Sequence, residues 1–448
     1  MNDAKWSALT AALEDKERIL IWGFGREGKS TCRLLKRLFP ERTVWVADDN
    51  IVDTSEFGGV EFIHLASEDP HFDSFDLIMK SPGIAVMRED VPMDRLCSQT
   101  ELFLMLLRKQ VIGVTGTKGK STTSSLLYHI ISGVHEDTVF CGNIGIPCFD
   151  MLDRIGDDTV IVFEMSCHQL EFASFSPSTA VLLNLHEDHL DHYITYEKYI
   201  EAKSHILTFQ DEDDFAVLNL EDIDTLNAFG GNGQRIYNGR DITIDGRSIT
   251  CPFGSITVNE DDTQLVGAHN LYNISVVYYI CRRLFDIGNE RFLELLATFS
   301  PLPHRLQKVG TFDGVTYYDD SISTICESAV NAIRSLGNVG TLLLGGMDRG
   351  IDYTELIDCL FQVHIDNLVL IGEAAPRLEM LINQRSEETG IAQNIYRSTG
   401  FTDAVHAAMR MTEKGKVCLL SPAAASYDMF KNFEARGDEF ARLVREGL

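Results

Sequence analysis

One stretch limits the possible folds of this chain more than any other. Residues 112 to 123 read IGVTGTKGKSTT. The apolar run Val111 to Val114 predicts a buried strand, and SSLLYHII after the glycines predicts a helix. Because Gly116 and Gly119 have no Cβ, backbone N–H groups can close around an oxyanion at this turn. Lys120 then reaches toward the terminal phosphates of a nucleotide.

The spacing of this loop differs from the standard G-x-x-x-x-G-K-[ST], because Val114 stands where the first glycine would fall. The shorter TGTKGKST serves the same physical purpose, and Ser121 is the residue type that holds Mg²⁺ at this position. A plain strand–turn–helix junction is the alternative, but the strand before and the helix after supply the context of a phosphate site. The predicted nucleotide-binding residues are Gly116, Thr117, Lys118, Gly119, Lys120, Ser121 and Thr122.

Composition narrows the class of protein. The 448 residues predict about three domains. The net charge of −28 argues against a nucleic-acid partner. It also disfavours an anionic substrate, unless basic groups are concentrated in a cleft. No run is apolar enough to span a membrane, and the charged N-terminus lacks a signal peptide, so we expect a cytoplasmic protein. The ten cysteines form no C-x-x-C pair, which favours buried, reduced thiols.

The first hundred residues alternate predicted strands and helices. RILIWGFGREGKS is a strand that runs into Gly23-x-Gly25-x-x-Gly28, and the next strand ends at Asp48. A later strand ends in Ser81-Pro82-Gly83. We predict a small domain that binds one nucleotide-like group. NAD binding and glycines that merely make tight turns are the alternatives, since a lone G-x-G-x-x-G is weak evidence.

Ligand-type residues gather after the phosphate loop. Glu164 ends an apolar, β-branched strand, where a carboxylate is either an Mg²⁺ ligand or a hydrogen-bonded rim group. HEDHLDHY, at 186 to 193, contains histidines and aspartates, Asp191 among them. Adjacent histidines suit a tetrahedral zinc site poorly, so we predict one histidine that completes an Mg²⁺ site. On the next predicted helix, Lys203 lies beside the apolar face. Earlier in the chain, Asn143 stands between two glycines, and this local pattern alone indicates only a turn residue.

The rest of the chain returns to a strand–helix alternation. The polar stretch 214–265 predicts hairpins, and the close, SYDMFKNFEARGDEFARLV, predicts an amphipathic helix. The predicted fold class is α/β with a small Rossmann-like domain, a central P-loop-type ATPase domain with a mostly parallel sheet, and a C-terminal Rossmann-like domain. We place the substrate domain at 1–108, the ATP domain at 109–300 and the amino-acid domain at 301–448.

The chain resembles the Mur ligases of peptidoglycan synthesis, most closely their glutamate-adding branch, over essentially its whole length. The resemblance rests on motifs in a fixed order: TGTKGKST, GNIGIP, residues 164 to 171, NLHEDHLDHY, LPHR and LLSPAAASYDMFKNFEARGDEF. It implies that ATP phosphorylates the carboxylate of UDP-N-acetylmuramoyl-L-alanine and that the amine of glutamate attacks the acyl phosphate. It also implies a monomer with small-molecule substrates.

The resemblance assigns roles by position. Lys120 would bind the β- and γ-phosphates, with Ser121 and Glu164 on one Mg²⁺ and His189 and a carbamylated Lys203 on the other. Asn143 would orient the acyl substrate. The remaining implied residues are Asn273, Arg305 and Asp320 for ATP, Asp48, Ser81 and Gly83 for the uridine diphosphate, and Ser166, Gln169, Thr324, Arg349, Ser426 and Phe433 for the substrates.

Departures from the family pattern occur around the amino-acid pocket. The usual loop D-S-K-A-T-N reads DSISTI here, so that Ile322 replaces a lysine and Ile325 an asparagine, and Arg349 stands where a lysine is common. Arginine is not a neutral replacement for lysine. The identity of the added amino acid, or its handedness, is therefore open, and L-glutamate is an alternative to D-glutamate.

Two further alternatives lie outside this branch of the family. One is a folylpolyglutamate-synthase-like ligase, which the N-terminal segment from Gly23 to Gly83 disfavours. The other is an NAD-dependent oxidoreductase or a nucleotide-binding regulator, which the set Lys120, Glu164, His189 and Lys203 disfavours.

Overall fold

The computed structural model describes residues 1–227, 229–363 and 365–447, with only the backbone at Asp191. The chain divides into two compact units, one of residues 1–259 and 272–297 and the other of residues 260–271 and 298–448. Among the described residues, none of the helices combines the length and apolar composition needed to cross a bilayer. All ten cysteines are buried, as the sequence predicts.

A five-stranded parallel sheet begins the first unit. Its strands are β1 Ile19–Trp22, β2 Val44–Asp48, β3 Val60–His64, β4 Leu77–Lys80 and β5 Leu96–Cys97, with helices α1 Asp3–Glu14, α2 Arg26–Leu38 and α3 Gln99–Leu107. The strand order is β3-β2-β1-β4-β5. Every residue of β1 is buried, as expected of a parallel strand covered on both faces.

A second, six-stranded sheet in the same unit carries the phosphate loop. Its strands are β6 Val111–Thr115, β7 Thr138–Gly142, β8 Val160–Glu164, β9 Thr179–Leu182, β10 Phe215–Asn219 and β11 Gln234–Asn238. All its pairs are parallel, in the order β11-β10-β9-β6-β8-β7. The carboxyl ends of its strands therefore meet at one edge.

Helices and a small hairpin sheet complete this part of the chain. The helices are α4 Lys120–Ser132, α5 Cys167–Leu170, α6 Leu190–Tyr193, α7 Tyr196–Thr208, α8 Ile223–Leu226, α9 Ala268–Phe285 and α10 Asn289–Thr298. The antiparallel hairpins are β12 Thr243–Asp245, β13 Ser248–Cys251 and β14 Gly254–Thr257. The prediction of hairpins throughout 214–265 is thus wrong for β10 and β11, whose buried residues extend the large parallel sheet instead.

The second unit is built on a six-stranded sheet of its own. Its strands are β15 Gln307–Phe312, β16 Val315–Asp319, β17 Val339–Gly345, β18 Asn367–Ile371, β19 Ile395–Arg397 and β20 Val417–Leu420, with helices α11 Cys326–Leu336, α12 Thr354–Gln362, α13 Ala375–Thr389, α14 Phe401–Met411 and α15 Phe433–Glu446. The order is β15-β16-β20-β17-β18-β19, and only the edge strand β15 is antiparallel to its neighbour. With its three large sheets, the chain has the predicted α/β fold.

The last helix begins later than the sequence pattern predicts, and it holds a buried cation. It starts at Phe433 because Asn432 caps it, with the side-chain oxygen accepting from the N–H of Ala435 at 2.9 Å. Arg436 is fully buried. Its guanidinium donates to the Oγ and the backbone oxygen of Ser321 at 2.9 and 2.8 Å and to the oxygen of Ala424 at 3.0 Å. Arg436 therefore ties α15 to the loops after β16 and β20.

We predict that Arg436→Leu destabilises the second unit by about 3 kcal/mol, because it leaves buried carbonyl groups without a donor. Arg442→Leu is the matched control on the same helix, since Arg442 is half exposed and forms surface ion pairs with Glu439 and Glu446. Chemical denaturation followed by circular dichroism measures both. Equal shifts of the two variants would show that the buried hydrogen bonds of Arg436 add nothing to stability.

Candidate active site

The phosphate loop joins the buried strand β6 to helix α4 at the edge of the large parallel sheet. Gly116 and Gly119 have φ values of 152° and 84°, a region that favours glycine. A Cβ built on Gly119 would lie 2.9 Å from the Oδ1 of Asn273. The loop therefore requires glycine here, and Asn273 lies directly against it.

Asn184 holds the loop in shape, a role that the sequence pattern did not predict. The N–H of Thr117 donates to the backbone oxygen of Asn184 at 3.0 Å, and the N–H of Lys118 donates to its Oδ1 at 2.8 Å. The amide of Asn184 donates back to the oxygen of Lys118 at 3.1 Å. The available signal was position, since Asn184 lies two residues beyond the end of β9.

Two lysines converge on one carbonyl oxygen of the loop. The Nζ of Lys120 donates to the oxygens of Gly116 and Thr117 at 2.8 and 2.9 Å. The Nζ of Lys203 also donates to Gly116, at 3.0 Å, and the residue is only 1% exposed. Burial, assisted by the charge of Lys120, lowers the pKa of Lys203 to about 7. Burial also lowers the pKa of Lys120.

The partner of Lys203 is an aromatic ring rather than a carboxylate. Its Nζ lies 4.8 Å from the ring centroid of Tyr199, one turn earlier on α7. The hydroxyl of Tyr199 is 2.8 Å from the Oγ1 of Thr117, so this ring also contacts the phosphate loop. Among the described residues, no carboxylate lies within ion-pair distance of Lys203. The sequence pattern placed Lys203 beside the apolar face, and the structure places it fully inside.

Glu164 is the centre of a compact oxygen-rich cluster. Its side chain, at the end of β8, is completely buried. Its Oε1 accepts from the Oγ of Ser121 at 3.2 Å and from the Nδ2 of Asn143 at 2.8 Å. Its Oε2 accepts from the Oγ of Ser124 at 3.2 Å. The structure thus brings Ser121, Glu164 and Asn143 together. Ser124 was missed, although it lies one helical turn after Ser121 on the same face.

This donor set fits a small divalent cation. Mg²⁺ takes oxygen ligands, and at nucleotide sites it is held by one or two protein groups, with water and phosphate oxygens completing the octahedron. A hydroxyl and a carboxylate 3.2 Å apart, directly beside a phosphate loop, supply two such oxygens. Ser121 and Glu164 are the residues here that would hold the ion.

His189 belongs to a cluster of histidines. It lies in the left-handed region at φ 54°, just before α6, and its side chain is 45% exposed. Its ring lies 4.7 Å from that of His168 and 6.3 Å from that of Tyr199, between centroids. Burial and the neighbouring His192 and His189 lower the pKa of His168 to about 3. The predicted candidate side chain of Asp191 lies outside the described residues.

Ser166 and Gln169 have a clear structural role. They form a reciprocal cap on α5, in which the N–H of Gln169 donates to the Oγ of Ser166 and the N–H of Ser166 donates to the Oε1 of Gln169. The Nε2 of Gln169 also donates to the Oε1 of Glu27 at 2.7 Å. Burial raises the pKa of Glu27 to about 7. Both residues predicted to bind substrate are thus engaged in positioning the segment after Glu164.

The predicted uridine-nucleotide residues gather at the carboxyl edge of the first sheet. Asp48 accepts from the backbone N–H of Phe24 at 2.8 Å, and the Oγ of Ser81 donates to the oxygen of Gly23 at 2.8 Å. A side chain at Gly23, where φ is 91°, would meet the Cβ of Ser81 at 2.9 Å. Gly83, two residues beyond Ser81, is exposed.

A buried ion pair lies next to this edge. Lys80, the last residue of β4, is buried and pairs with the Oε2 of Glu171 at 3.2 Å. The same oxygen is 3.1 Å from the Nε2 of His192. His192 is thereby engaged by a carboxylate from the segment after Glu164, whereas the Nε2 of His189 lies 3.8 Å from the Oδ2 of Asp188.

In the second unit, Asp320 is the most tightly held of the predicted residues. It is 4% exposed, its Oδ1 accepts from the N–H of Leu306, and its Oδ2 accepts from the hydroxyls of Ser323 and Ser421 at 2.5 and 2.7 Å. Burial raises its pKa to about 6, against the lowering effect of its hydrogen bonds with Ser323 and Ser421. The charge of Arg305 also lowers the pKa of Asp320, to a smaller extent.

The other predicted residues of the second unit lie on its loops or, in the case of Phe433, at the start of its last helix. Ile322 donates its N–H to the oxygen of His304 at 3.1 Å, and Thr324 is half-buried. Ser426 is buried, whereas Arg349 is exposed. Phe433 begins α15, and its backbone oxygen accepts from the Oγ of Ser321 at 2.9 Å.

Comparison with known proteins agrees with this geometry. Residues 114–281 match the family model of the Mur ligase middle domain. A UDP-N-acetylmuramoylalanine–D-glutamate ligase of Clostridioides difficile is 32% identical over 95% of this chain and 97% of its own. Among solved structures, the UDP-N-acetylmuramate-alanine ligase MurC of Thermotoga maritima superposes with a TM-score of 0.57 at 17% identity, covering 96% of this chain and 99% of that one.

A second solved structure from the same organism, the MurF ligase in complex with ADP, has a TM-score of 0.56 at 18% identity and covers 90% of this chain and 96% of its own. At these identities the two structures establish the fold alone. The sequence relative covers nearly the whole chain at an identity that establishes descent. The chain therefore belongs to the Mur ligase family, a family of ATP-dependent, ADP-forming ligases.

Proposed function

We propose that this protein joins glutamate to UDP-N-acetylmuramoyl-L-alanine in peptidoglycan precursor synthesis, with ATP as the phosphoryl donor. The observation that carries the proposal is the buried Glu164 carboxylate, which accepts from Ser121 of the phosphate loop and from Asn143. A relative with that printed activity, 32% identical over 95% of this chain, supports the choice of substrates. We also propose that the protein acts in the cytoplasm as a monomer.

The reaction needs two steps, and the chain supplies alignment and charge for both. The substrate carboxylate attacks the γ-phosphorus of ATP, so that ADP leaves and an acyl phosphate forms. The glutamate amine then attacks the acyl carbon, phosphate leaves, and the amine proton passes to solvent. Lys120 binds the β- and γ-phosphates, and Asn143 orients the acyl group. Positioning and charge neutralisation carry most of such a phosphoryl transfer.

We assign the metal-holding residues to two Mg²⁺ ions. Bound Mg²⁺ neutralises charge that develops on the phosphate oxygens. Ser121 and Glu164 would hold one ion, and His189 and Lys203 the other. Lysine is a cation, so it fits this role only as a carbamate, formed when its neutral amine adds CO₂ and releases a proton. The pKa of about 7 at Lys203 makes the neutral amine available near neutral pH, and the amine lies over the ring of Tyr199.

The other predicted residues keep their roles within the proposal. Asn273, Arg305 and Asp320 bind ATP, while Asp48, Ser81 and Gly83 contact the uridine diphosphate. Ser166 and Gln169 support the acyl substrate through the cap that they form. Thr324, Arg349, Ser426 and Phe433 receive the amino acid. The corresponding domain boundaries remain 1–108, 109–300 and 301–448.

The handedness of the glutamate is the open part of the proposal. Ile322 occupies the position of the expected lysine, which removes a cation from a pocket that must hold carboxylates. This departure favours L-glutamate as the second candidate. Folylpolyglutamate synthesis is the third candidate, and it rests on the fold alone, since the FolC of E. coli in complex with ADP superposes with a TM-score of 0.55 at 15% identity.

The first experiment is product detection by mass spectrometry. Purified protein receives ATP, Mg²⁺ and UDP-N-acetylmuramoyl-L-alanine, with D-glutamate or L-glutamate in separate reactions. We expect the glutamyl product and ADP with D-glutamate. Product with L-glutamate only would tie the altered loop to handedness and would require a later epimerisation. The absence of product with both would reject the acyl substrate.

We predict that Lys203→Ala lowers turnover by more than about a hundredfold. Removing a residue that hydrogen-bonds a metal ligand typically costs about 10- to 100-fold in activity, and removing the metal ligand itself costs more. A short carboxylic acid added to this variant restores part of the rate by replacing the carbamate. Lys198→Ala, on the exposed face of the same helix, is the control and keeps its activity. Full activity of Lys203→Ala would remove this residue from the metal site.

We also predict that Ile322→Lys lowers the KM for D-glutamate by about tenfold, the effect of one added charge-assisted hydrogen bond, and leaves the KM for ATP unchanged. Steady-state kinetics with each substrate varied in turn measures both constants. Ile391→Lys, at an exposed isoleucine of the same unit, controls for added charge. Equal effects on both KM values would place Ile322 outside the amino-acid pocket.

A further inference from the structure

Three metal-ligating side chains meet beside the proposed magnesium site. Cys167, His168 and His189 each offer one ligand atom, and these atoms all lie within 4.8 Å of one another. The Sγ of Cys167 is 3.8 Å from the Nδ1 of His168. Two ligands come from α5, directly after Glu164, and the third comes from the segment before α6.

We propose that Cys167, His168 and His189 form a binding site for a thiophilic transition-metal ion of the Zn²⁺ class. Thiolate and imidazole are the ligands that such ions prefer, whereas Mg²⁺ prefers oxygen. The site is thus chemically distinct from the Ser121–Glu164 pair. His189, however, belongs both to this site and to the proposed site of the second Mg²⁺.

The distances suit this ion. Zn–S and Zn–N bonds of about 2.3 and 2.0 Å in a tetrahedron place sulfur and nitrogen about 3.5 Å apart. The observed 3.8 Å between Sγ and Nδ1 is close to that separation. His189 closes the remaining gap by a side-chain rotation, which its 45% exposure permits. Water supplies the fourth ligand on the same exposed side.

The protein holds the two inner ligands in place. The reciprocal cap between Ser166 and Gln169 fixes the start of α5, and with it Cys167 and His168. The ring of His168 stacks on Tyr193, with centroids 5.6 Å apart and planes 17° apart. Cys167 is 2% exposed, whereas His189 is exposed, so the ligand set faces solvent on the side of His189. The cluster thus combines two ligands held in place with one exposed ligand.

Binding of a thiophilic metal ion removes the proton of Cys167 and occupies the imidazole of His189. The thiol of Cys167 loses its proton to solvent as the sulfur–metal bond forms. His189 becomes unavailable to Mg²⁺, so that a thiophilic ion and the second Mg²⁺ exclude each other. This exclusion rests on the proposed function. The site itself does not, because its formation requires neither ATP nor turnover.

Cobalt spectroscopy tests the site without an activity assay. Metal-free, reduced full-length protein is titrated with Co²⁺, which occupies zinc sites and gives a near-ultraviolet charge-transfer band when a thiolate is bound. We expect this band in the wild type and its displacement by Zn²⁺. We expect no band in Cys167→Ser. Cys251→Ser is the matched control, since this buried cysteine lies in the hairpin strand β13, and it keeps the band.

A second variant removes a ligand while keeping the packing. His168→Phe retains the stacking on Tyr193, so it remains informative if Cys167→Ser fails to fold by circular dichroism. We expect its affinity for Zn²⁺, measured by competition with a chromophoric chelator, to fall by at least about tenfold. A wild type without a thiolate band, a band that survives in Cys167→Ser, or an unchanged affinity in His168→Phe would each overturn the site. A protein that binds Co²⁺ through Cys167 but makes no glutamyl product would reject only the proposed function.

Discussion

The carbonyl oxygen of Gly116 accepts from two lysines, and much of the site depends on this convergence. Burial is the main cause that lowers the pKa of Lys203 to about 7, and the nearby charge of Lys120 adds to it. The backbone of the phosphate loop thus holds the amine of a buried lysine that enters from a helix almost ninety residues away.

The parallel sheet explains why residues so distant in sequence meet here. Strands β6, β8 and β9 are neighbours, and their carboxyl ends deliver the loop glycines, Glu164 and Asn184 to the same edge. The helices that follow then bring in polar side chains from above, such as Ser121 and Ser124. A buried carboxylate is costly without donors, and the three that surround Glu164 offset this cost.

The fold class and the phosphate loop could be predicted because they depend on local patterns, such as apolar runs that end at glycine or at a carboxylate. The convergence of Ser121 and Glu164 could be expected for the same reason. The role of Asn184 could not be predicted, since an asparagine after a strand is common. Its three hydrogen bonds with the phosphate loop are visible only in the folded structure. The strands β10 and β11 were missed because turn-rich polar sequence resembles hairpins, and which partner a strand takes is a tertiary choice. The cluster of Cys167, His168 and His189 could not be predicted from residue spacing, because a further strand separates His189 from the other two residues.

The cap on α5 also has a consequence for how such sequences can diverge. Gln169 serves the backbone of Ser166 with its oxygen and the carboxyl of Glu27 with its nitrogen. A glutamate at 169 would preserve the first bond but would set two carboxyl groups against each other. Substitutions at 27 and 169 are thus tolerated as a pair more readily than singly. A helix of the first sheet and a turn of the second must therefore evolve in step, although more than a hundred residues separate them in the chain.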